Sequence, residues 1–204
     1  MDSADQKMQI LQDAFRKMGD LAVAFSGGVD SSFLLAAAHA VLGDRAFAVT
    51  AETCFISERE SQEAAAFCRQ YGIRQIVCHP MPLQSDTIRM NPPDRCYYCK
   101  KMLFTKMKNL AAANGAAVLA DGSNMDDSVD DRPGMRAIRE LGICSPLRDA
   151  QLHKDEIRVL SAKMGLPTAY HPSNACLATR IPFGQPLTEQ ALHMVAQAEE
   201  YLHQ

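Results

Sequence analysis

The chain has 204 residues and a net charge of −3, with a sequence pI near 6.1, which excludes a broad electrostatic footprint for nucleic acid. Hydrophobic residues make up 47% and charged residues 22%, enough apolar matter for the core of one ordinary domain, so disorder is not the default. The polar start Met1–Gln6 is unlike a secretory signal, and the apolar runs, such as Phe33–Ala38, fall short of the roughly 18 residues of a membrane helix; a cytoplasmic protein without membrane attachment is expected.

Taken in chain order, apolar spacing predicts a helix over 7–18 and a short buried strand over 21–25 that breaks at Ser-Gly-Gly. A helix follows from Asp30 to Leu42, stopped by Gly43, then a strand over Ala46–Thr50 and a helix over Glu58–Tyr71 ended by Gly72. Arg74–Cys78 reads as a third strand, Cys99–Ala113 as a helix closed by Asn114-Gly115, and Ala117–Ala120 as a fourth strand. This βαβα alternation predicts an α/β fold, a Rossmann-like parallel sheet with helices on both faces. Ligands of such sheets bind at the carboxyl ends of the strands, where the loops after Phe25, Thr50 and Ala120 lie.

Beyond residue 122 the chain changes character. Asn124–Gly134 is acidic and turn-rich, Met135–Leu141 reads as a short helix and Leu152–Met164 as an amphipathic one. Residues 166–187 carry Pro167, Pro172, Pro182 and Pro186 and read as an irregular functional loop, and Leu187–Gln204 as a helix. The expected division is 1–165 for the main domain and 166–204 for this loop and the start of a C-terminal region. There is no internal repeat.

The segment Ala24-Phe25-Ser26-Gly27-Gly28-Val29-Asp30-Ser31-Ser32 leaves a strand and opens a helix. Two consecutive glycines let backbone approach a phosphate, the loop amides and helix N-terminus supply donors, and Ser26, Ser31 and Ser32 add hydroxyls. No lysine ends the loop, so it is not the Walker type. An acid beside a phosphate site repels its ligand unless something intervenes; Asp30 is either a helix cap or the holder of a magnesium ion that bridges to the phosphates.

Seven cysteines without an export signal argue for buried thiols, a metal site or a reactive thiol. Cys96 and Cys99 form a C-x-x-C pair after the rigid Asn91-Pro92-Pro93, and Cys176 lies in the proline-rich loop. Structural zinc would need further ligands that no second close pair supplies. Three thiolates would leave one iron of a 4Fe–4S cluster without a protein ligand; the alternative is three ordinary buried thiols. Cys54, Cys68, Cys78 and Cys144 lie in or beside apolar elements and are expected in the core. Lys100, Lys101 and Arg180 are cations near the cysteines, either exposed surface charges or holders of phosphate and carboxylate groups.

The Ser26–Ser32 segment resembles the PP-loop of the N-type ATP pyrophosphatases, which have the adenine nucleotide alpha hydrolase-like fold and split ATP between its α and β phosphates. The resemblance implies that backbone around Thr50 (Val49–Thr53) meets adenine and that Gly122 lies near the nucleotide. Asn91–Lys101 (NPPDRCYYCKK), Asp121–Asp127 (DGSNMDD), Asp131–Gly134 (DRPG), Ser145-Pro146-Leu147 and Ala175–Pro182 (ACLATRIP) resemble the LarE family, ATP-dependent sulfur transferases of nickel-pincer nucleotide biosynthesis.

That resemblance covers roughly residues 10–200. It implies adenylation of a carboxylate of pyridinium-3,5-biscarboxylic acid mononucleotide with loss of pyrophosphate, then sulfur insertion to a thiocarboxylate. The implied cofactors are ATP, Mg2+ and a 4Fe–4S cluster on Cys96, Cys99 and Cys176. Asp30 is the implied magnesium ligand, Cys176 and Lys101 join it as catalytic residues, and Ala24, Asn124 and Arg180 join the phosphate loop in binding the nucleotide. In the single-cysteine form of the family the residue matching Cys176 gives up its own sulfur; the three-cysteine pattern here resembles the cluster-bearing form. Family chains usually carry a further C-terminal domain with subunit contacts, so a homo-oligomer is implied and that extension is expected to be missing after Gln204. Two rival readings are a tRNA thiolase of the same class and an ATP-binding sensor without chemistry.

Overall fold

Leu21–Ala24 is apolar at every position, and such a run is stable only when both its faces are covered. In the computed structural model, which describes residues 3–127, 133–172 and 174–202, it is strand β1, paired in parallel on both sides. Helix α1 (Ser3–Met18) precedes it; α2 (Val29–Leu42), β2 (Ala46–Ala51), α3 (Glu58–Gln70) and β3 (Gln75–Cys78) follow. Then come a single turn α4 (Asp86–Arg89), α5 (Arg95–Ala113), β4 (Val118–Ala120), α6 (Pro133–Glu140), a single turn α7 (Pro146–Asp149), α8 (Lys154–Lys163) and α9 (Glu189–Leu202). The described strands form a four-stranded parallel sheet in the order β3-β2-β1-β4. The expected α/β architecture is the one found.

Alternation along the strands sends side chains to two cores. Leu21, Val23, Ala46 and Ala48 pack on one face with Leu11 and Phe15 of α1, Phe33 and Leu34 of α2, Phe67 of α3 and Ile157 of α8. Ala22, Phe47, Val49 and Ala51 pack on the other with Phe104 and Met107 of α5 and Ile138 of α6. Phe33 is fully buried, so its truncation to alanine would cost about 3–5 kcal/mol.

Strand order reverses at β1, whose neighbours β2 and β4 lie one on each side, so the loops leaving β1 and β4 diverge at a topological switch point. Leu166 still belongs to the first core, and the residues after it pack in two ways. Pro167–Tyr170 forms a 3-10 turn against α8, while Leu177, Ala178, Leu187 and Leu192 join Phe55 and Ile88 in a third apolar cluster. That cluster lies over the loop that leaves β2.

One boundary differs from expectation with consequence. Helix α5 begins at Arg95, one turn before Cys99, because Pro92-Pro93 lie outside the helix and it starts directly after Asp94. Cys96 and Cys99 are therefore both helical, three residues apart and on one face. Asp131 and Arg132 of the DRPG segment lie outside the described residues, as does Ser173 before Asn174.

Candidate functional site

The loop after β1 is shaped by its own polar groups. Gly27 adopts φ +81 and Gly28 stands at the N-cap of α2 with no side-chain capping bond. A Cβ on Gly27 would meet the Ala64 methyl of α3 at 3.2 Å, so glycine is needed here for both conformation and contact. The Ser31 hydroxyl donates to the Gly28 carbonyl at 3.1 Å and lies 3.1 Å from the Ser26 hydroxyl, while the Ser32 hydroxyl donates to the Gly27 carbonyl at 3.3 Å. Ser31 and Ser32 are buried and brace the loop; Ser26 is exposed at its mouth. The first amides of α2 have no intrahelical acceptor, and together with the helix dipole they form an anion-binding concavity.

Asp30 does not cap the helix. Its carboxylate accepts from Lys154 Nζ at 2.5 Å and from Asn124 Nδ2 at 3.2 Å. The loop after β4 sets both partners in place. Asp126 accepts from the Lys154 backbone amide at 2.7 Å and bonds His153 Nδ1 at 2.7 Å, and these bonds, the amide first, hold its carboxyl below the usual carboxylate range. Gly122 in the same loop closes on the helix: a Cβ there would lie 3.0 Å from the Ser31 nitrogen and 3.3 Å from the Asp30 Cβ. Asp121 is tied to Ser123 and, at 2.6 Å, to the Ser145 hydroxyl, which explains the Ser145-Pro146-Leu147 segment as a structural brace.

Ala24, Ser26–Ser32, Gly122 and Asn124 thus come together at the switch point. Thr50 is buried on β2, its hydroxyl accepting from Gln75 at 2.8 Å. The structure places two predicted cations elsewhere. Lys101 pairs with Glu140 at 2.8 Å and the Tyr97 hydroxyl at 2.8 Å on the surface of α5 and α6; the Glu140 bond chiefly lifts its pKa to about 12. Arg180 donates to Glu199 of α9 at 2.6 Å. Gly134 packs on Lys100, whose stem would stand 2.8 Å from a Cβ.

A second constellation forms at the carboxyl end of β2. Arg95, 2% exposed, donates from Nη1 to the Ala178 carbonyl at 2.8 Å and to Asn91 Oδ1 at 2.6 Å, and its Nη2 stands 3.9 Å from Cys96 Sγ. Asn91, wholly buried, in turn donates to the Ile181 and Pro182 carbonyls at 3.2 and 2.9 Å. The loop bearing Cys176 is thereby fastened to the helix bearing Cys96 and Cys99. The three thiols feel one another. Burial pushes the Cys99 thiol up to about 12, with Cys176 and Cys96 adding to the rise and Arg95 opposing it. Cys176 is an exposed residue, yet the atoms packed around its sulfur raise its thiol too, against the pull of Arg95.

Cys54 departs from expectation. Phe55 takes the inward position and its carbonyl accepts from the Leu177 amide at 3.0 Å, so Cys54 turns outward and is exposed rather than core. Cys68 is buried as expected, whereas Cys78 and Cys144 are half-buried.

The chain is 36% identical over 97% of its length to an uncharacterized protein, slr1717, of Synechocystis sp., spanning 74% of that protein. It is 34% identical over 96% of its length to a pyridinium-3,5-bisthiocarboxylic acid mononucleotide synthase of Lactiplantibacillus plantarum, spanning 71% of it. The chain belongs to the LarE family. A subunit of the glutamine-hydrolyzing GMP synthase of Archaeoglobus fulgidus, 25% identical over 83% of this chain and spanning 56% of that protein, is a more distant PP-loop relative. No protein-family profile matches the chain. As a LarE member the protein is an ATP-dependent enzyme, a sulfur transferase. Among the described residues no helix is long and apolar enough to cross a membrane.

Sequence reasoning missed three residues of these sites. Lys154 stands 124 positions from Asp30, and an amphipathic helix gives no sign that its first lysine leaves the surface. Arg95 sits beside the C-x-x-C pair, yet nothing local distinguishes a buried guanidinium from an exposed one. Cys54 lies between Thr53 and Phe55, where only the turn decides which side chain faces inward.

Proposed function

We propose that the protein activates a carboxylate of pyridinium-3,5-biscarboxylic acid mononucleotide as an acyl-adenylate, releasing pyrophosphate, and then inserts sulfur to give a thiocarboxylate. A carboxylate is a poor electrophile, and the anhydride with AMP supplies the leaving group. The observation that carries the reading is that a phosphate-type loop and a three-cysteine group stand over the carboxyl ends of the adjacent strands β1 and β2. The Ala64 contact with Gly27 and the Phe55–Leu177 bond join them through the β2–α3 segment. In this reading the α2 amides and Ser26 grip the triphosphate, and Asp30 and Asn124 lie beside it. Asp30, one carboxylate next to phosphates, suits the octahedral shell of a magnesium ion.

Three thiols are the number that a 4Fe–4S cluster with one open iron takes from its protein. Among the described residues, no three His, Cys, Asp or Glu side chains stand close enough to hold one metal ion. A buried guanidinium 3.9 Å from the Cys96 sulfur suits an anionic occupant. Cys96, Cys99 and Cys176 would hold a 4Fe–4S cluster, which when bound offers an iron without a protein ligand as the carrier of transferable sulfur.

Anaerobic incubation with ATP and the pyridinium dicarboxylate, followed by mass analysis of small molecule and protein, tests this. A thiocarboxylate with the protein mass unchanged supports the cluster reading. Loss of the mass of hydrogen sulfide from Cys176 would replace it with the sacrificial form, and no adenylate at all would sink the function. Cys176→Ala is expected to abolish sulfur transfer while pyrophosphate is still released; Asp30→Ala is expected to abolish both.

A further inference from the structure

Among the described residues the buried guanidinium of Arg95 has no carboxylate partner. Among the described residues its fork meets only neutral acceptors, the Ala178 carbonyl and the Asn91 amide oxygen, and the Cys96 sulfur at 3.9 Å. The Phe183 ring lies 6.0 Å from its Cζ. A charge that is 2% exposed and uncompensated is costly to keep unless an anion joins it. The candidates for that anion facing Arg95 are sulfur atoms.

The clasp around Arg95 also has a definite geometry. Asn91 sits at φ +53, a left-handed conformation that asparagine tolerates better than most residues, and its amide spans the Arg95 fork and the Ile181 and Pro182 carbonyls. The Gly184 amide returns to the Asn91 carbonyl at 2.9 Å. The loop from Ala178 to Gly184 is thus held to the start of α5 through one arginine and one asparagine.

We infer that Arg95 is the positioning residue of the sulfur site: it fixes the Cys176 loop against the Cys96/Cys99 helix and supplies the countercharge for the anionic sulfur group held between them. The inference rests on the three-cysteine reading proposed above. It separates two roles that one side chain serves. A neutral glutamine can still donate to the Ala178 carbonyl, whereas lysine keeps the charge but loses the fork.

The test is anaerobic reconstitution of the full chain with ferrous iron and sulfide, read as the rate at which a ferrous chelator strips the iron and as the midpoint potential. Thermal melting serves as the control for folding. Arg95→Gln is expected to lose iron about tenfold faster than wild type, in the range for groups that support metal ligands, and its potential to move negative. Arg95→Lys is expected to stay within about threefold, because the charge remains. A folded Arg95→Gln that holds iron as wild type does overturns the inference, as does Arg95→Lys losing iron as fast as Arg95→Gln. If Arg95→Gln does not fold, a tenfold faster loss from Arg95→Lys alone overturns it. Wild type that takes up no iron or sulfide overturns the three-cysteine reading itself, and this inference falls with it.

Discussion

The phosphate loop and the sulfur site stand over neighbouring strands yet are built in opposite ways. The first is made of consecutive residues, Phe25 to Ser32, whose helix-start amides are left free for a ligand while the Ser31 and Ser32 hydroxyls hold the loop's own shape. The second is assembled from three distant stretches: Phe55 after β2, Asn91 to Cys99 leading into α5, and Cys176 to Pro182. A backbone site is fixed once the strand, the glycines and the helix are fixed. A side-chain site depends on long-range packing, here on Arg95 and Asn91.

The difference is broken most severely at Gly122, where another chain segment touches the backbone site. A Cβ at 3.0 Å from the Ser31 nitrogen and 3.3 Å from the Asp30 carbonyl carbon and Cβ has no flexible side-chain end to push aside, so the loop amides must move. Gly122→Val is expected to slow ATP–pyrophosphate exchange by about a hundredfold, the cost of roughly an ångström of misplacement, with cysteine reactivity in the sulfur site retained. Wild-type exchange in this variant would show that the two loops do not need their close approach.

Lys154 tests the backbone site's dependence on a remote side chain. With its ammonium gone, Asp30 keeps Asn124 but loses its neutralising charge, and the site becomes more repulsive to a triphosphate. Lys154→Met is expected to raise the KM for ATP about tenfold, comparable with one charged hydrogen bond. Steady-state kinetics with Lys154→Arg alongside check this: the arginine variant recovers most of the loss if charge is what matters.

The same contrast explains what can be read from the residues alone. The strands, the helices and the Ser26–Ser32 loop follow from local patterns: apolar runs, glycine stops and a glycine pair between a strand and a helix. The cysteines can be named as a group because residue type survives any fold, but their clasp cannot, since Arg95 reaches Ala178 across 83 positions. Lys101 illustrates the converse: its place in a familiar segment implies a catalytic role, and its surface pairing with Glu140 across α5 and α6 is something no local pattern announces. Cys54 escapes a local reading because an apolar neighbourhood does not say which of two adjacent residues turns inward.

Cys68 sharpens the comparison from the core side, being a thiol that serves neither site. Burial pushes it up to about 12, above its unfolded value. The neutral thiol is therefore favoured in the fold. Its contribution is fully present below the unfolded pKa and is lost as pH rises towards the folded value. Stability is expected to fall by about 1 kcal/mol per pH unit through this residue once pH passes about 8.5. Urea melts at pH 8 and pH 10 on wild type and Cys68→Val measure it; parallel losses in both proteins would refute the assignment.

The smallest expected effect lies on the element that touches both sites. Helix α3 starts with a capping box in which the Ser57 hydroxyl accepts from the Glu60 amide at 3.2 Å and Glu60 accepts from the Ser57 amide at 2.9 Å. The other Glu60 oxygen accepts from Asn174 at 3.1 Å, two residues before Cys176, while Ala64 one turn on supports Gly27. Ser57→Ala removes the cap bond from the Glu60 amide and the hydroxyl's own bond to the Glu60 carboxylate, and is expected to cost about 1 kcal/mol in global stability. Its local consequence should be uneven. The Gly27–Ala64 contact rests on backbone and packing and survives, whereas the Asn174 bond depends on how Glu60 is held and loosens. Hydrogen exchange is thus expected to rise at 174–178 and stay flat at 26–32; an equal rise at both would mean that the two sites share one rigid frame and that their different construction has no dynamic consequence.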